Sequence, residues 1–184
     1  MGGGAGERGE CLGMSGAGMA AGAAIYAGFA NWSVPEAAWD GLKDAMCKGD
    51  VDAIAAASLP APEAKLSAQQ ARIDAVFSAV HLADLDIATA DWPEVRKMLY
   101  RAAPLSLAVT LELVRRVRAN PTMATALDLE YRFTSRSMAH GDFLEGIRAA
   151  IIDRDRTPKW QHGAWADVTA AQISQMTAQV EENT

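Results

Sequence analysis

Apolar residues recur along most of this chain at intervals of three and four, the spacing of one helix face. The pattern predicts a mainly α protein with one or two short strands at most. Alanine-rich residues 20–27 predict a helix that Gly28 ends, and residues 29–34 one short strand. Pro35 suits the first turn of a helix with the stripe Ala38, Trp39, Leu42, Ala45 and Met46. Gly49 ends it, and Asp50 caps a helix over residues 51–57. After Leu59-Pro60-Ala61-Pro62, Ile73, Val76, Phe77 and Val80 share a face, and residues 83–90 form a small helix or turn.

Pro93 opens a helix with Val95, Met98, Leu99 and Ala102 on one stripe, and Pro104 opens another through Arg118, with Leu107, Leu111 and Val114 on one side. Asn120 reads as the cap of a helix beginning at Pro121, with Leu127, Tyr131, Thr134 and Met138 as its inward face. Gly141 suits a left-handed helix end. Asp142 and Glu145, three apart, form a capping box for a helix with Phe143, Leu144, Ile147, Ile151 and Ile152 on its apolar face. That helix must stop before Pro158. Residues 168–180 form a last amphipathic helix, with Ile173, Met176 and Val180 inward.

Composition divides this pattern. Residues 1–18 hold eight of the fifteen glycines, a composition of loop or disorder. Residues 19–58 form a first group of elements, residues 59–66 a proline-punctuated linker, and residues 67–184 a C-terminal helical region. A chain of 184 residues, half of them apolar, suits one domain or one and a fragment.

Charge and motifs remove several functions. A net charge of −6 argues against a broad nucleic-acid surface. No apolar run reaches the roughly 20 residues that span a bilayer, and the start has no basic stretch of a signal peptide. Cys11 and Cys47 make neither a disulfide framework nor a zinc pattern, so a reducing cytoplasmic setting is expected, or the mitochondrial matrix in a eukaryote. Cys11 reads as a small buried apolar group. His81, His140 and His162 share no metal-ligand spacing, and no nucleophile elbow, P-loop or dinucleotide fingerprint occurs. Arg96, Lys97 and Arg101 form a basic helix face that is either solvated or turned to phosphates, and Arg115, Arg116 and Arg118 a second cluster near a helix C-terminus.

One stretch carries a family resemblance. Asp142-Phe143-Leu144-Glu145-Gly146-Ile147-Arg148-Ala149-Ala150-Ile151-Ile152-Asp153-Arg154-Asp155-Arg156-Thr157-Pro158-Lys159-Trp160 resembles the C-terminal signature of the 3-hydroxyisobutyryl-CoA hydrolase family. That family is a branch of the crotonase, or enoyl-CoA hydratase/isomerase, superfamily. Gly9-Glu10-Cys11-Leu12-Gly13-Met14-Ser15-Gly16, Ala27-Gly28-Phe29-Ala30-Asn31, Ser106-Leu107-Ala108-Val109-Thr110 and Leu129-Glu130-Tyr131-Arg132 are similar to further segments of it.

The resemblance implies the C-terminal helical part of a crotonase-like fold, acyl-CoA thioester hydrolysis in valine catabolism, an acyl-CoA substrate and no cofactor or metal. Met1-Gly2-Gly3-Gly4-Ala5-Gly6 resembles the family's oxyanion loop, which would make Gly3 a backbone donor to the thioester oxygen. The same run also aligns with a later Asp-Val-Gly-Gly-Gly of the family, and by composition reads as a loose terminus. The family's Met-Pro-Glu and Pro-Asp-Val-Gly-Gly, which bring the hydrolytic Glu and Asp, do not occur in this sequence. The chain therefore reads as the C-terminal half of the family, truncated, with acyl-CoA binding weak or absent and little hydrolysis expected from it alone. Its alternative is a non-catalytic helical remnant that binds acyl-CoA weakly, docks on another subunit or self-associates, with neither nucleic acid nor membrane as partner.

Overall fold

Helices account for nearly all the regular structure in the computed structural model, which describes residues 6–180. Twelve α-helices are present among them: α1 Arg8–Ser15, α2 Ala21–Tyr26, α3 Trp39–Cys47, α4 Ala53–Ala57, α5 Lys65–Ala68, α6 Gln70–Phe77, α7 Leu82–Ala88, α8 Pro93–Leu99, α9 Pro104–Ala119, α10 Met123–His140, α11 Phe143–Ile147 and α12 Ala170–Thr177. The expectation of a mainly α protein holds. The short strand expected over residues 29–34 is reduced to a single antiparallel bridge between Ser33 and Leu59. The described residues divide into two units, the first made of residues 6–8 with Gly18–Asp74, the second of Gly9–Ala17 with residues 75–180.

In the first unit, α2 lies against α5 and the linker before it. A Cβ built on Gly22 would fall 2.2 Å from the Pro62 carbonyl oxygen, so only glycine lets this backbone pass. Gly28, at φ 84°, ends the turn after α2 as its position predicts. The stripe expected on α3 is not a core face: no α3 residue is buried, and Trp39 and Met46 are exposed. Asp50 accepts from the Ala53 N–H at 3.2 Å, a local cap for α4.

In the second unit, α9 is the central helix. Leu105 and Val109 on one side meet Met176 of α12, with Leu113, Phe133, Val168 and Ile173 packed around them. Each such aliphatic side chain contributes about 1.5–3 kcal/mol of burial. Another side of α9 carries Leu107, Ala108 and Leu111, also buried, and α7 packs on α9. Residues 9–15 of α1 close on α9 through glycine: a Cβ at Gly9 would meet Val114 at 3.2 Å, and one at Gly13 would meet Thr110 at 3.3 Å. The glycine content that suggested a loop over residues 1–18 thus includes a helix, whose Gly9 and Gly13 lie close against α9. Residues 1–5 lie outside the described residues.

Several expected details differ. Thr122, not Asn120, caps α10, accepting from the Thr125 N–H at 3.1 Å, because residues 120–122 are extended and push the start to Met123. The α10 face expected inward is outward: Leu127, Tyr131 and Met138 are exposed, whereas Leu129 is buried and Phe133 packs on the core. Val80 is likewise 66% exposed, beyond the end of α6. The last helix is shorter than expected, with Thr169 and Gln172 forming its capping box.

Candidate functional site

The candidate site is built from the end of α10, α11 and the segment that follows. Gly141 joins α10 to α11 in an extended conformation, φ −116° and ψ −173°, and not as the left-handed end its sequence position suggests. Glycine is required there for another reason: a Cβ would lie 2.9 Å from the Ser137 carbonyl oxygen. After α11 the helix continues as one π-helical turn, Arg148–Ile152, a distortion that often accompanies functional sites. Residues 153–161 then fold back as a strap along α11.

Side-chain bonds from α11 hold the strap. Asp142 does not cap α11, and Glu145 does not close the expected capping box. Asp142 Oδ1 accepts from the Gln161 N–H at 2.8 Å, and Glu145 Oε1 accepts from the Lys159 N–H at 2.6 Å. Gln161 Nε2 returns a bond to the Gly141 carbonyl at 2.9 Å. Asp142 is buried, and its Oδ2 has no hydrogen-bond partner among the described residues. The sequence signalled a cap because an acidic residue before a helix usually satisfies first-turn N–H groups; here the returning backbone competes for it.

Arg148 is the hub. Its guanidinium donates to Glu145 at 2.7 and 2.8 Å, to Asp153 at 2.6 Å, to Asp155 at 2.7 Å and to the Thr157 carbonyl at 3.3 Å. The Arg148 hydrogen bonds, followed by that from the Lys159 N–H, pull the Glu145 carboxyl down to about 2. Asp155 falls to about 2 through Arg148 and the Thr157 N–H. The three carboxylates in turn push Arg148 above its ordinary value.

Between α10, α11 and the strap lies a cavity of about 630 Å³. Phe133, Met138, Phe143, Ile147, Ile151 and Trp160 give it an apolar lining, with Ser106, Ser137 and Asp142 as polar members. A second cavity, of about 590 Å³, shares Arg101, Gly146 and Trp160 with the first and adds Tyr100, Arg156 and Pro158. Apolar walls with a few polar groups are the usual make-up of a small-molecule site. The expected apolar face of α11 therefore exists, but as a cavity wall and an exposed surface more than as core.

The remaining candidates are placed as follows. Gly3, the expected oxyanion-hole donor, lies outside the described residues. His162 is buried, and its Nε2 lies 2.9 Å from Gln172 Nε2. No group of three metal-ligating side chains occurs among the described residues. Cys11 is buried, and burial pushes its thiol up to about 11, consistent with an inert apolar role. Of the basic residues, Arg96 pairs with Asp86 at 2.6 Å, Arg116 with Glu112 at 2.7 Å and Arg118 with Glu10, while Arg115 donates to the Ala79 and Val80 carbonyls. Sequence spacing could not have shown that Arg101 reaches the same cavities as the strap.

Comparison with known proteins places this geometry in a family. The model of the enoyl-CoA hydratase/isomerase family matches residues 4–177. The chain is similar to mitochondrial 3-hydroxyisobutyryl-CoA hydrolase of Mus musculus, 40% identical over 76 residues that make 41% of this chain and 20% of that protein. It is also 40% identical over 76 residues to small ribosomal subunit protein mS47 of Arabidopsis thaliana, across 40% of this chain and 18% of that protein. An enoyl-CoA hydratase of known structure from Rhodobacter sphaeroides 2.4.1 superposes with a TM-score of 0.87 at 43% identity, covering 95% of this chain and 52% of that one. The chain thus spans about half of that structure and about a fifth of these two curated relatives. No helix among the described residues is long and apolar enough to cross a membrane. With the family model matched over residues 4–177, the chain belongs to the enoyl-CoA hydratase/isomerase family.

Proposed function

We propose that this chain is the acyl-CoA-binding helical part of a 3-hydroxyisobutyryl-CoA hydrolase-like thioester hydrolase acting in valine catabolism. One observation carries the reading: Asp142, Phe143, Gly146, Ile147, Ile151 and Trp160, all from the stretch that resembles the hydrolase signature, line a single apolar cavity. Its volume of about 630 Å³ is in the range of small-molecule sites. The named likeness to 3-hydroxyisobutyryl-CoA hydrolase supports the substrate class. Thioester hydrolysis needs an oxyanion hole and carboxylates that handle water. Gly3 is our candidate for the first, and the Glu and Asp of the second have no matching motif in these 184 residues. The chain alone therefore binds and does not turn over.

The test is thermal unfolding of the purified chain with and without excess 3-hydroxyisobutyryl-CoA, beside a thioester assay. A ligand-dependent rise in Tm with no release of free thiol is expected, because binding to the native state stabilises it by mass action. Full turnover by the chain alone refutes the division of labour; a melt indifferent to ligand refutes the binding role.

A second reading has its own support. Leu127, Tyr131 and Met138 form an exposed apolar stripe on α10, suited to docking on another subunit. The likeness to a small ribosomal subunit protein is compatible with a non-catalytic part in an assembly. This reading predicts association without any response to acyl-CoA.

A further inference from the structure

A further cavity of the second unit lies where α9 meets α7 and α12. It measures about 520 Å³ and shares no lining residue with the cavity beside α11. Leu82, Ala108, Leu111 and Trp165 are buried and give it apolar walls, which Val168 and Ile173 continue. Its volume and its mostly apolar lining are those of a small-molecule site.

The polar part of that lining is basic. Arg115 and Arg116 of α9, with His81 just before α7, stand beside a single acid, Glu112. Glu112 is engaged by Arg116, whose Nε donates to it at 2.7 Å. Arg115 has no carboxylate partner among the described residues. Its Nη1 donates to the Val80 carbonyl at 2.8 Å and its Nη2 to the Ala79 carbonyl. Those acceptors are neutral, so they fix the guanidinium without cancelling its charge. A guanidinium carries five N–H donors on one rigid plane, and the two bonds leave the others for a further acceptor. In a chain of net charge −6, this is a fixed positive group on an apolar cavity.

We propose that this cavity binds a carboxylate with an apolar chain, the chain against Leu82, Leu111 and Trp165 and the carboxylate on the remaining donors of Arg115. A carboxylate suits the planar guanidinium because it accepts two N–H bonds at once and supplies the missing counter-charge. An uncharged molecule of the same shape supplies only the apolar contact. A polyanion is disfavoured by Glu112 in the same lining. The site is independent of the acyl-CoA reading above.

Calorimetric titration of the full chain tests it with two probes of one length, octanoate and octanamide. The wild type is expected to bind octanoate at least about tenfold more tightly, with a preference that shrinks as salt rises. Arg115→Gln is expected to remove most of that preference. Glu112→Gln releases Arg116 and is expected to raise octanoate affinity at least about twofold while leaving octanamide unchanged. Ala83→Phe places a ring at the cavity from an exposed position at the start of α7 and is expected to abolish binding of both probes. Arg136→Gln is the control: Arg136 also donates to backbone carbonyls but does not line this cavity, and its variant keeps the preference. A Tm for each variant checks folding, and if Arg115→Gln unfolds, Glu112→Gln and Ala83→Phe decide. Equal wild-type affinity for the two probes, or no binding of octanoate, overturns the site. So does a preference that survives Arg115→Gln, octanoate binding indifferent to Glu112→Gln or Ala83→Phe, or an equal loss in the control.

Discussion

Arg118, near the end of α9, donates to the carboxylate of Glu10, 108 residues earlier in the chain. The Glu10 side chain is fully buried while that of Arg118 is 43% exposed, so the pair brings one charge out of water and leaves the other half in it. An acid in the interior needs such compensation. Arg118→Met is expected to destabilise the second unit by about 1.5–3 kcal/mol, the range for hydrogen bonds to charged groups. Glu10→Gln, which removes the buried charge, should cost less than Arg118→Met. Urea unfolding followed by tryptophan fluorescence measures both, and an Arg118→Met variant as stable as the wild type would show that the pair is idle.

Gly22 makes the complementary test in the first unit. Alanine normally favours a helix interior over glycine by about 1 kcal/mol. Here the added Cβ would lie 2.2 Å from the Pro62 carbonyl oxygen, and a backbone atom cannot move aside cheaply. Overpacking of this kind costs about 1–3 kcal/mol. Gly22→Ala is therefore expected to lower the stability of the first unit despite its better propensity, read as a drop in the unfolding midpoint. A rise would mean that the linker is not seated on α2.

The same contrast between local rule and tertiary contact marks how much was legible in the sequence. The mainly helical class and the positions of most helices follow from apolar spacing, and Gly28 and Gly49 end their turns at positive φ as their positions predict. Periodicity could not say which side of a helix is covered. On α10, Leu127, Tyr131 and Met138 make as good a stripe as Leu129 and Phe133, and only contact with Leu105, Val109 and Met176 decides for the second. The site was legible as a motif and not as geometry. Asp142 and Glu145 carry the signature of a capping box, yet they bind backbone N–H groups 19 and 14 residues later, which no local rule anticipates.

Acid stability should report the Arg148 hub. Glu145 titrates near 4.5 in an unfolded chain and about 2 in the folded one, Asp155 near 3.8 and about 2. Both folded values are depressed, so the unfolded state binds more protons and stability rises with pH through this range. The contribution is complete above about pH 4.5 and is lost progressively as pH falls toward 2. Glu145→Gln is expected to flatten the dependence of Tm on pH between 4.5 and 2 while lowering Tm at pH 7. An unchanged slope in the variant would mean that the hub does not hold in solution.

The exposed stripe on α10 leads to the last expectation. Tyr131 is 60% exposed, and Leu127, Met138 and Met123 lie along the same helix with Phe143 and Leu144 just beyond it. Large apolar residues contiguous on one surface seek cover, and in water the available cover is a partner protein or a second copy of the chain. The purified chain is therefore expected to self-associate as its concentration rises. Replacing Leu127 and Tyr131 together by lysine removes two apolar anchors and adds like charges on each copy, which should weaken association at least about tenfold. Both side chains face solvent within the described residues, so the folded chain should keep its stability to within about 0.5 kcal/mol. Sedimentation velocity over a concentration series measures the first effect and urea unfolding the second. Loss of stability in the double variant, with no change in association, would mean that the stripe is core in solution and that the face expected from periodicity is the buried one.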